Sequence, residues 1–253
     1  MNHTALITGA TSGIGKACAI KFAQNGYNLI ITGRRNERLE KLKIKLETEN
    51  RIQVLTLCFD IRNKEEVIRS VETLDNHWKK IDILVNNAGL ALDLKPVHAG
   101  HFEDWDTMID TNIKGLLYMS KLISNMMIEN GSGHIINMGS IAGKETYPNG
   151  NVYSATKHAI EGLTKAMRLD LFRFGIKVSQ IAPGAVETEF SVVRFKGDRE
   201  IADNVYKGFQ PLTPEDVAES VYFVASQPAH VNINDLLIMP MAQANATTFD
   251  KTS

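Results

Sequence analysis

Short, almost wholly apolar runs alternate with longer amphipathic stretches from one end of this 253-residue chain to the other. The apolar runs fall at residues 5–8, 28–32, 54–58, 81–86, 134–138, 177–182 and 236–239. Helix-length stretches occupy 14–25, 37–49, 65–77, 102–129, 152–174 and 214–226. A run such as Ile81-Asp82-Ile83-Leu84-Val85 has too little polar character for a strand with one wet face. It suits a sheet covered on both sides, and strict alternation joins such strands in parallel through right-handed crossovers. No internal repeat or Pro/Gly/Ser-rich linker divides the chain, so residues 1–253 are expected to form a single α/β domain around a doubly wound parallel sheet of about seven strands. The one long irregular stretch, 183–212, is expected to be a substrate lid, since loops of that length in compact domains are usually functional.

Charge and cysteine usage exclude several classes of function. Twenty-eight Lys+Arg stand against 29 Asp+Glu, a formal charge of −1, with no long basic block for a nucleic acid. No apolar run is long enough to span a bilayer. The first residues, Met1 to Thr8, lead directly into an apolar strand without the pattern of a signal peptide, so a cytoplasmic protein is expected. Cys18 and Cys58 are expected to be buried thiols, and His98, His101 and His158 lack metal-ligand spacing, so no metal is assigned.

Thr8-Gly9-Ala10-Thr11-Ser12-Gly13-Ile14-Gly15 links the first strand to the first helix. Residues without β-carbons let this turn bring backbone N–H groups and the helix N-terminus against a pyrophosphate, the arrangement of a Rossmann-type dinucleotide site. At the end of the second strand, where a site for NAD places a carboxylate, this chain has Arg34 and Arg35. A guanidinium suits a 2′-phosphate, which favours NADP(H); Arg34 is the phosphate candidate, and Arg35 is open to phosphate contact or to stacking on adenine. Asp60-Ile61 after the third strand and Asn87-Ala88-Gly89 after the fourth occupy the strand ends where such ligands bind.

Ser140 follows the fifth strand, and Tyr153 and Lys157 lie one helical turn apart on a shared face. A phenol of pKa near ~10 is a poor base at neutral pH, and an adjacent ammonium lowers that value. Ser140 is placed to hydrogen-bond a substrate oxygen. Asn112, in the long helix before it, is placed to position a water for a proton relay.

Together these segments resemble the short-chain dehydrogenase/reductase family over essentially the whole chain, through residues 8–15, 86–89, Asn112, Ser140, the Tyr153/Lys157 pair and 183–188. The resemblance implies an Asn-Ser-Tyr-Lys tetrad in which Tyr153 is the acid/base and Lys157 also holds the nicotinamide ribose. It implies that Pro183, Gly184, Val186 and Thr188 bind the carboxamide end of the cofactor, and that the chain assembles as a homotetramer. Segments 86–92, 103–112, 150–153, 190–198 and 228–234 further resemble the NADP-dependent 3-hydroxy acid dehydrogenases acting on serine and L-allo-threonine, although 183–190 is shorter than that group's Gly-Gly form. The expected substrate is therefore a small 3-hydroxy acid. Within the lid, Arg194 is the candidate for its carboxylate, against the alternatives that Arg194 and Lys196 are solvated or meet a neighbouring subunit. A 3-oxoacyl-thioester reductase or other carbonyl reductase shares this tetrad, but near-neutral charge does not suggest a surface for an acidic carrier. A non-catalytic NADP sensor would not need both Tyr153 and Lys157.

Overall fold

The computed structural model describes residues 3–251. Seven parallel strands form one sheet in the order β3-β2-β1-β4-β5-β6-β7. They are β1 (Thr4–Ile7), β2 (Asn28–Gly33), β3 (Val54–Cys58), β4 (Ile83–Asn86), β5 (Gly133–Met138), β6 (Ile176–Pro183) and β7 (Asp235–Ile238). The chain runs outward from β1 to β3, then returns to β4 on the other side of β1, so the strand order reverses between β1 and β4. Ligands of such sheets bind at that crevice, beyond the carboxyl ends of the strands.

Both faces of the sheet are covered, which explains the nearly continuous apolar runs. Ile7, Ile31 and Val85 lie in register and pack with Phe22 of α1 (Gly13–Gln24), Leu39 of α2 (Asn36–Glu49) and Val221 of α9 (Pro214–Ala225). Their neighbours Leu6, Ile30 and Leu84 point the other way. There they meet Val67 of α3 (Lys64–Glu72), Ile123 of α5 (Leu116–Asn130) and Leu171 of α6 (Asn151–Leu171). Alternation of side chains along each strand thus builds two cores from one sheet.

Several expected boundaries shift for local reasons. The single helix expected over 102–129 is α4 (Phe102–Ile109) and α5 joined by a π-helical turn, Asp110–Gly115. One wide turn inside a helical run rotates the side chains beyond it, and the apolar periodicity barely registers it. The helix expected over 65–77 ends at Glu72, where Thr73 Oγ1 donates to the Arg69 carbonyl at 2.8 Å. The stretch 183–212 is not wholly irregular: it holds α7 (Glu189–Arg194) and α8 (Arg199–Asn204), capped by the side chains of Thr188 and Asp198. Six-residue helices are too short to show a period and depend on caps and tertiary contacts. Cys18 is buried as expected, but Cys58 is exposed, because it ends the edge strand β3. No helix among the described residues is long and apolar enough to cross a membrane.

On β5, His134 is buried and its Nε2 lies 2.8 Å from Ser179 Oγ. Ser179 gives its own proton to Asn232 Oδ1 at 3.2 Å, so Nε2–H of the neutral imidazole is the donor and Nδ1 has no partner. Burial, reinforced by the Lys177 ammonium, pushes the His134 pKa down to about 3. The unfolded chain takes up this proton near pH ~6.5 and the folded chain does not, so stability falls as pH drops from there toward 3. Chemical denaturation at pH 4–6 should show His134→Gln losing stability less steeply than the parent, by up to about 1.4 kcal/mol per pH unit. Equal slopes would mean that His134 titrates alike in both states.

Candidate active site

A cleft of about 460 Å³ opens at the carboxyl ends of the strands, bounded on one side by the Gly-rich turn and on the other by α7. Gly9 and Gly13 have φ of +70° and +51°, the region in which side chains are strained. At Gly15 the constraint is space: a β-carbon would sit 2.4 Å from the Gly9 oxygen and from Asn87 Nδ2. Asn87 Nδ2 donates to the Thr8 and Gly9 carbonyls at 2.9 and 3.3 Å, while Thr8 Oγ1 accepts from the backbone N–H of Asn87 and Ala88. Asn87 is thus a clamp between the two strand ends. Ser12, the N-cap of α1, makes no side-chain capping bond, and the first turn carries no acidic residue. The first N–H groups of α1 are accordingly left for an external anion, and Ile14 lines the cleft beside them.

The two arginines after β2 differ in their commitments. Arg35 donates to Thr11 Oγ1 at 3.1 and 2.6 Å, to Ser12 Oγ at 2.8 Å and to Glu189 at 3.0 Å. Its fork braces the Gly-rich turn. Arg38, which lies outside every motif read above, shares Glu189 at 2.9 and 3.0 Å. Arg34 lies beside the same cleft with only a 3.8 Å approach to Asp60. Asp60 in turn is held by Arg62 through both oxygens, at 2.6–3.1 Å. Burial tends to raise the Asp60 carboxyl, but hydrogen bonds and charge from Arg62, then Arg34, hold it below its ordinary value. Ile61 packs against Gly115 at the other wall of the cleft. A glycine cradle, an uncapped helix start and an available guanidinium together fit a dinucleotide bearing a 2′-phosphate.

Ser140, Tyr153 and Lys157 converge in this cleft. Ser140 Oγ accepts from the Ala142 N–H at 3.1 Å and donates to the Pro183 carbonyl at 3.5 Å. Lys157 is buried and donates to the Met138 carbonyl at 2.8 Å, with Nζ 5.8 Å from the Tyr153 ring centroid. Burial pushes its pKa down to about 8. The phenol departs from expectation. Burial first, then Tyr147, push Tyr153 up to about 12, and the charge opposing that rise belongs to Arg194, with the Ser140 hydroxyl adding to it. The anticipated lowering by Lys157 does not prevail, because desolvation of the phenolate outweighs it.

Asn112 lies in the π-helical turn and is buried. Its Nδ2 donates to the Leu90 carbonyl at 2.8 Å and to Thr156 Oγ1 at 3.0 Å, and its Oδ1 accepts from the Leu90 N–H at 2.9 Å. The side chain expected to position a water therefore spends both polar ends tying the turn after β4 to α6.

After β6, the Gly184 N–H donates to the Ile238 carbonyl and the Ala185 N–H to Gln243 Oε1, at 2.8 and 2.7 Å. Pro183, Val186 and Thr188 line the cleft with them, and Thr188 caps α7 through the Phe190 N–H. Gln243 and Tyr147 also line the cleft, and the motifs gave neither. Tyr147 accepts from Arg194 at 2.5 Å, whereas Lys196 pairs with Asp104 at 2.7 Å. Among the described residues no group of three or more His, Cys, Asp or Glu side chains converges as metal ligands.

The family model described as short chain dehydrogenase matches residues 3–198. An NADP-dependent 3-hydroxy acid dehydrogenase, YdfG, of Salmonella typhi is 50% identical over 242 residues, covering 95% of this chain and 96% of that one. A serine 3-dehydrogenase of Rhizobium radiobacter is 44% identical over 246 residues, 97% of each chain. Among solved structures, the closed form of a serine dehydrogenase complexed with NADP+ superposes with a TM-score of 0.91 at 47% identity, covering 96% of this chain and 97% of that one.

The bonds of Asn112 give a stability prediction. Asn112→Ala strands the buried Leu90 N–H and C=O, so urea denaturation should show a loss of about 2–4 kcal/mol. Thr156→Val, which removes one of these bonds, should cost about 1 kcal/mol. Unchanged stability in Asn112→Ala would leave Asn112 a role in solvent organisation alone.

Proposed function

Since this chain belongs to the short-chain dehydrogenase family, we propose that it catalyses reversible, NADP-dependent hydride transfer at the 3-hydroxyl of small 3-hydroxy acids of the serine, L-allo-threonine and 3-hydroxypropionate type. The observation that carries this reading is the meeting of Ser140, Tyr153 and Lys157 in one cleft with the Gly-rich turn and the uncommitted Arg34. The relatives named for NADP and for 3-hydroxy acids or serine support it over nearly their whole length.

In this reading the Gly9–Gly15 turn and the start of α1 receive the pyrophosphate, and Arg34 receives the 2′-phosphate. Asp60 and Ile61 flank the adenine, and Asn87, Ala88 and Gly89 back the cofactor's middle. Pro183, Gly184, Val186 and Thr188 hold the carboxamide end, and Lys157 the nicotinamide ribose. When bound, the cofactor supplies or accepts a hydride. The remaining work is proton handling by the chain itself. Tyr153 is protonated at neutral pH, the form that gives its proton to a carbonyl oxygen in the reductive direction. In the oxidative direction Tyr153 must first release its proton to solvent, and the phenolate so formed accepts the hydroxyl proton as the hydride leaves for the cofactor. The charges of Arg194 and Lys157 favour that phenolate. Ser140 hydrogen-bonds the reacting oxygen and keeps it in line with Tyr153. Asn112 acts as a positioning residue, and 183–212 acts as the lid. The reading carries with it a cytoplasmic homotetramer; the exposed apolar side chains of Phe102, Leu169, Phe172 and Phe223 support association between copies of the chain.

Two steady-state experiments test these assignments. Arg34→Ala should raise KM for NADP+ about ten- to a hundredfold and leave KM for NAD+ nearly unchanged, the cost of one lost charge-assisted phosphate contact. Equal effects on both cofactors would reduce Arg34 to a helix-supporting residue. Tyr153→Phe should lower turnover of 3-hydroxypropionate by about 10²–10⁴-fold while NADPH binding, followed by fluorescence, stays intact. Near-normal turnover would overturn the mechanism.

A further inference from the structure

Among the described cations at the cleft, Lys157 is spent on the Met138 carbonyl and Arg34 stands 3.8 Å from Asp60. Arg35 and Arg38 share Glu189, Arg62 holds Asp60, and Lys196 is paired with Asp104. Arg194, two residues before Lys196, has no carboxylate partner among the described residues. One end of its guanidinium donates to the Tyr147 hydroxyl at 2.5 Å, and its Nε is buried without a hydrogen-bond partner. The group stands among aromatic rings, 5.1 Å from the centroid of Tyr153, 5.4 Å from Phe190 and 5.7 Å from Tyr147. Ring faces stabilise the charge but accept no N–H bond as strongly as a carboxylate does. A buried guanidinium N–H left unmade is costly, and the cost is relieved when an anion enters the cleft.

Tyr147 adds a second donor. Its oxygen accepts from Arg194, and its own proton has no acceptor among the described residues. The ring is held in place by the chain around it: a β-carbon at Gly150 would lie 2.2 Å from it, and Asn149 adopts φ of +66° to close the turn. Gly150 is also the N-cap of α6, the helix that carries Tyr153 and Lys157. One rigid unit therefore sets the distance between Tyr147 and the proton-transfer phenol. The other side is fixed through the Arg194 carbonyl, which accepts from the Asp93 N–H at 2.9 Å, in the segment that follows β4.

We propose that Arg194 Nε–H and Tyr147 O–H form a carboxylate subsite, and that Tyr147 is a specificity-determining residue of the reaction. The inference rests on the hydride-transfer reading above and adds to it how the substrate is chosen. In a 3-hydroxy acid one carbon separates the carboxylate from the carbinol carbon. The subsite is accordingly built against the ring of Tyr153, which handles the carbinol proton. Selection is by charge, because the aromatic enclosure gives an uncharged group no comparable partner.

The test compares 3-hydroxypropionate with its uncharged methyl ester at saturating NADP+. Arg194→Met should lower kcat/KM for the acid about a hundredfold, and Tyr147→Phe about tenfold and mainly through KM, as expected for lost charge-assisted and neutral donors. Tyr147→Phe should keep kcat/KM for the ester within about twofold of the parent, whereas Arg194→Met, which also removes a charge favouring the Tyr153 phenolate, should cost the ester at least about tenfold less than it costs the acid. Parallel losses on acid and ester, or no loss on the acid, overturn the proposal. Tyr147→Phe keeps the ring that packs on Gly150, so it retains the test if Arg194→Met does not fold. If the parent protein oxidises neither compound, the hydride-transfer reading fails. Calorimetric titration of 3-hydroxypropionate then decides the subsite alone: binding to the parent that is lost in Tyr147→Phe supports it, and equal or absent binding overturns it.

Discussion

The close approach of two backbone segments at the reversal of strand order is the constraint on which the rest of the molecule depends. The turn after β1 and the turn after β4 meet where Gly15 has no room for a β-carbon, and Thr8 and Asn87 exchange side-chain bonds with each other's backbone. These contacts fix the mouth of the crevice as part of the sheet rather than as a pair of mobile loops. The start of α1 is left facing the opening with its first N–H groups uncapped. An anion bound there meets a helix dipole that the protein has not neutralised. Larger side chains at Gly9 or Gly15 would force the two strand ends apart, and the cofactor cradle would be lost with the packing.

A second layer of organisation is electrostatic. Glu189, the first residue of α7, accepts from both Arg35 and Arg38 and so joins α7 to the segment that follows β2. Its carboxyl is raised by burial but held below its ordinary value by these two guanidiniums. The pairs are about half-exposed, so each adds little stability. They occupy two cations, whereas Arg34 and Arg194, which also line the cleft, have no hydrogen-bonded carboxylate among the described residues.

Behind Ser140, Tyr153 and Lys157 lies a buried polar network. Asn86 Nδ2 donates to Ser120 Oγ and Asn137 Oδ1 at 2.8 and 2.9 Å, and Asn137 Nδ2 donates to Thr164 Oγ1 at 3.0 Å. Asn112 extends the same logic one layer nearer the cleft by joining Leu90 to Thr156. Buried polar groups of this kind are costly unless paired, so their pairing fixes one relative placement of β4, β5, α5 and α6. The π-helical turn belongs to this arrangement, since it brings Asn112 to bear on α6 rather than on solvent. Tyr153 and Lys157 inherit their positions from it.

By itself the sequence determined the alternating sheet, the glycine turn, the pairing of Tyr153 with Lys157 and the presence of basic residues after β2. Each of these is a local property. Strand and helix periods are written into adjacent residues, and a four-residue spacing places two side chains on one helix face wherever that helix lies. Which arginine holds a carboxylate is settled in three dimensions, because the partners are remote in sequence. Arg35 finds Glu189 154 residues away, Lys196 finds Asp104 92 away, and Arg194 finds Tyr147 47 away. The same holds for Gln243, which reaches the cleft from the C-terminal segment, and for the Tyr153 phenol. A neighbouring ammonium is visible in the sequence. The desolvation that outweighs it exists only once the surrounding residues have closed around the ring.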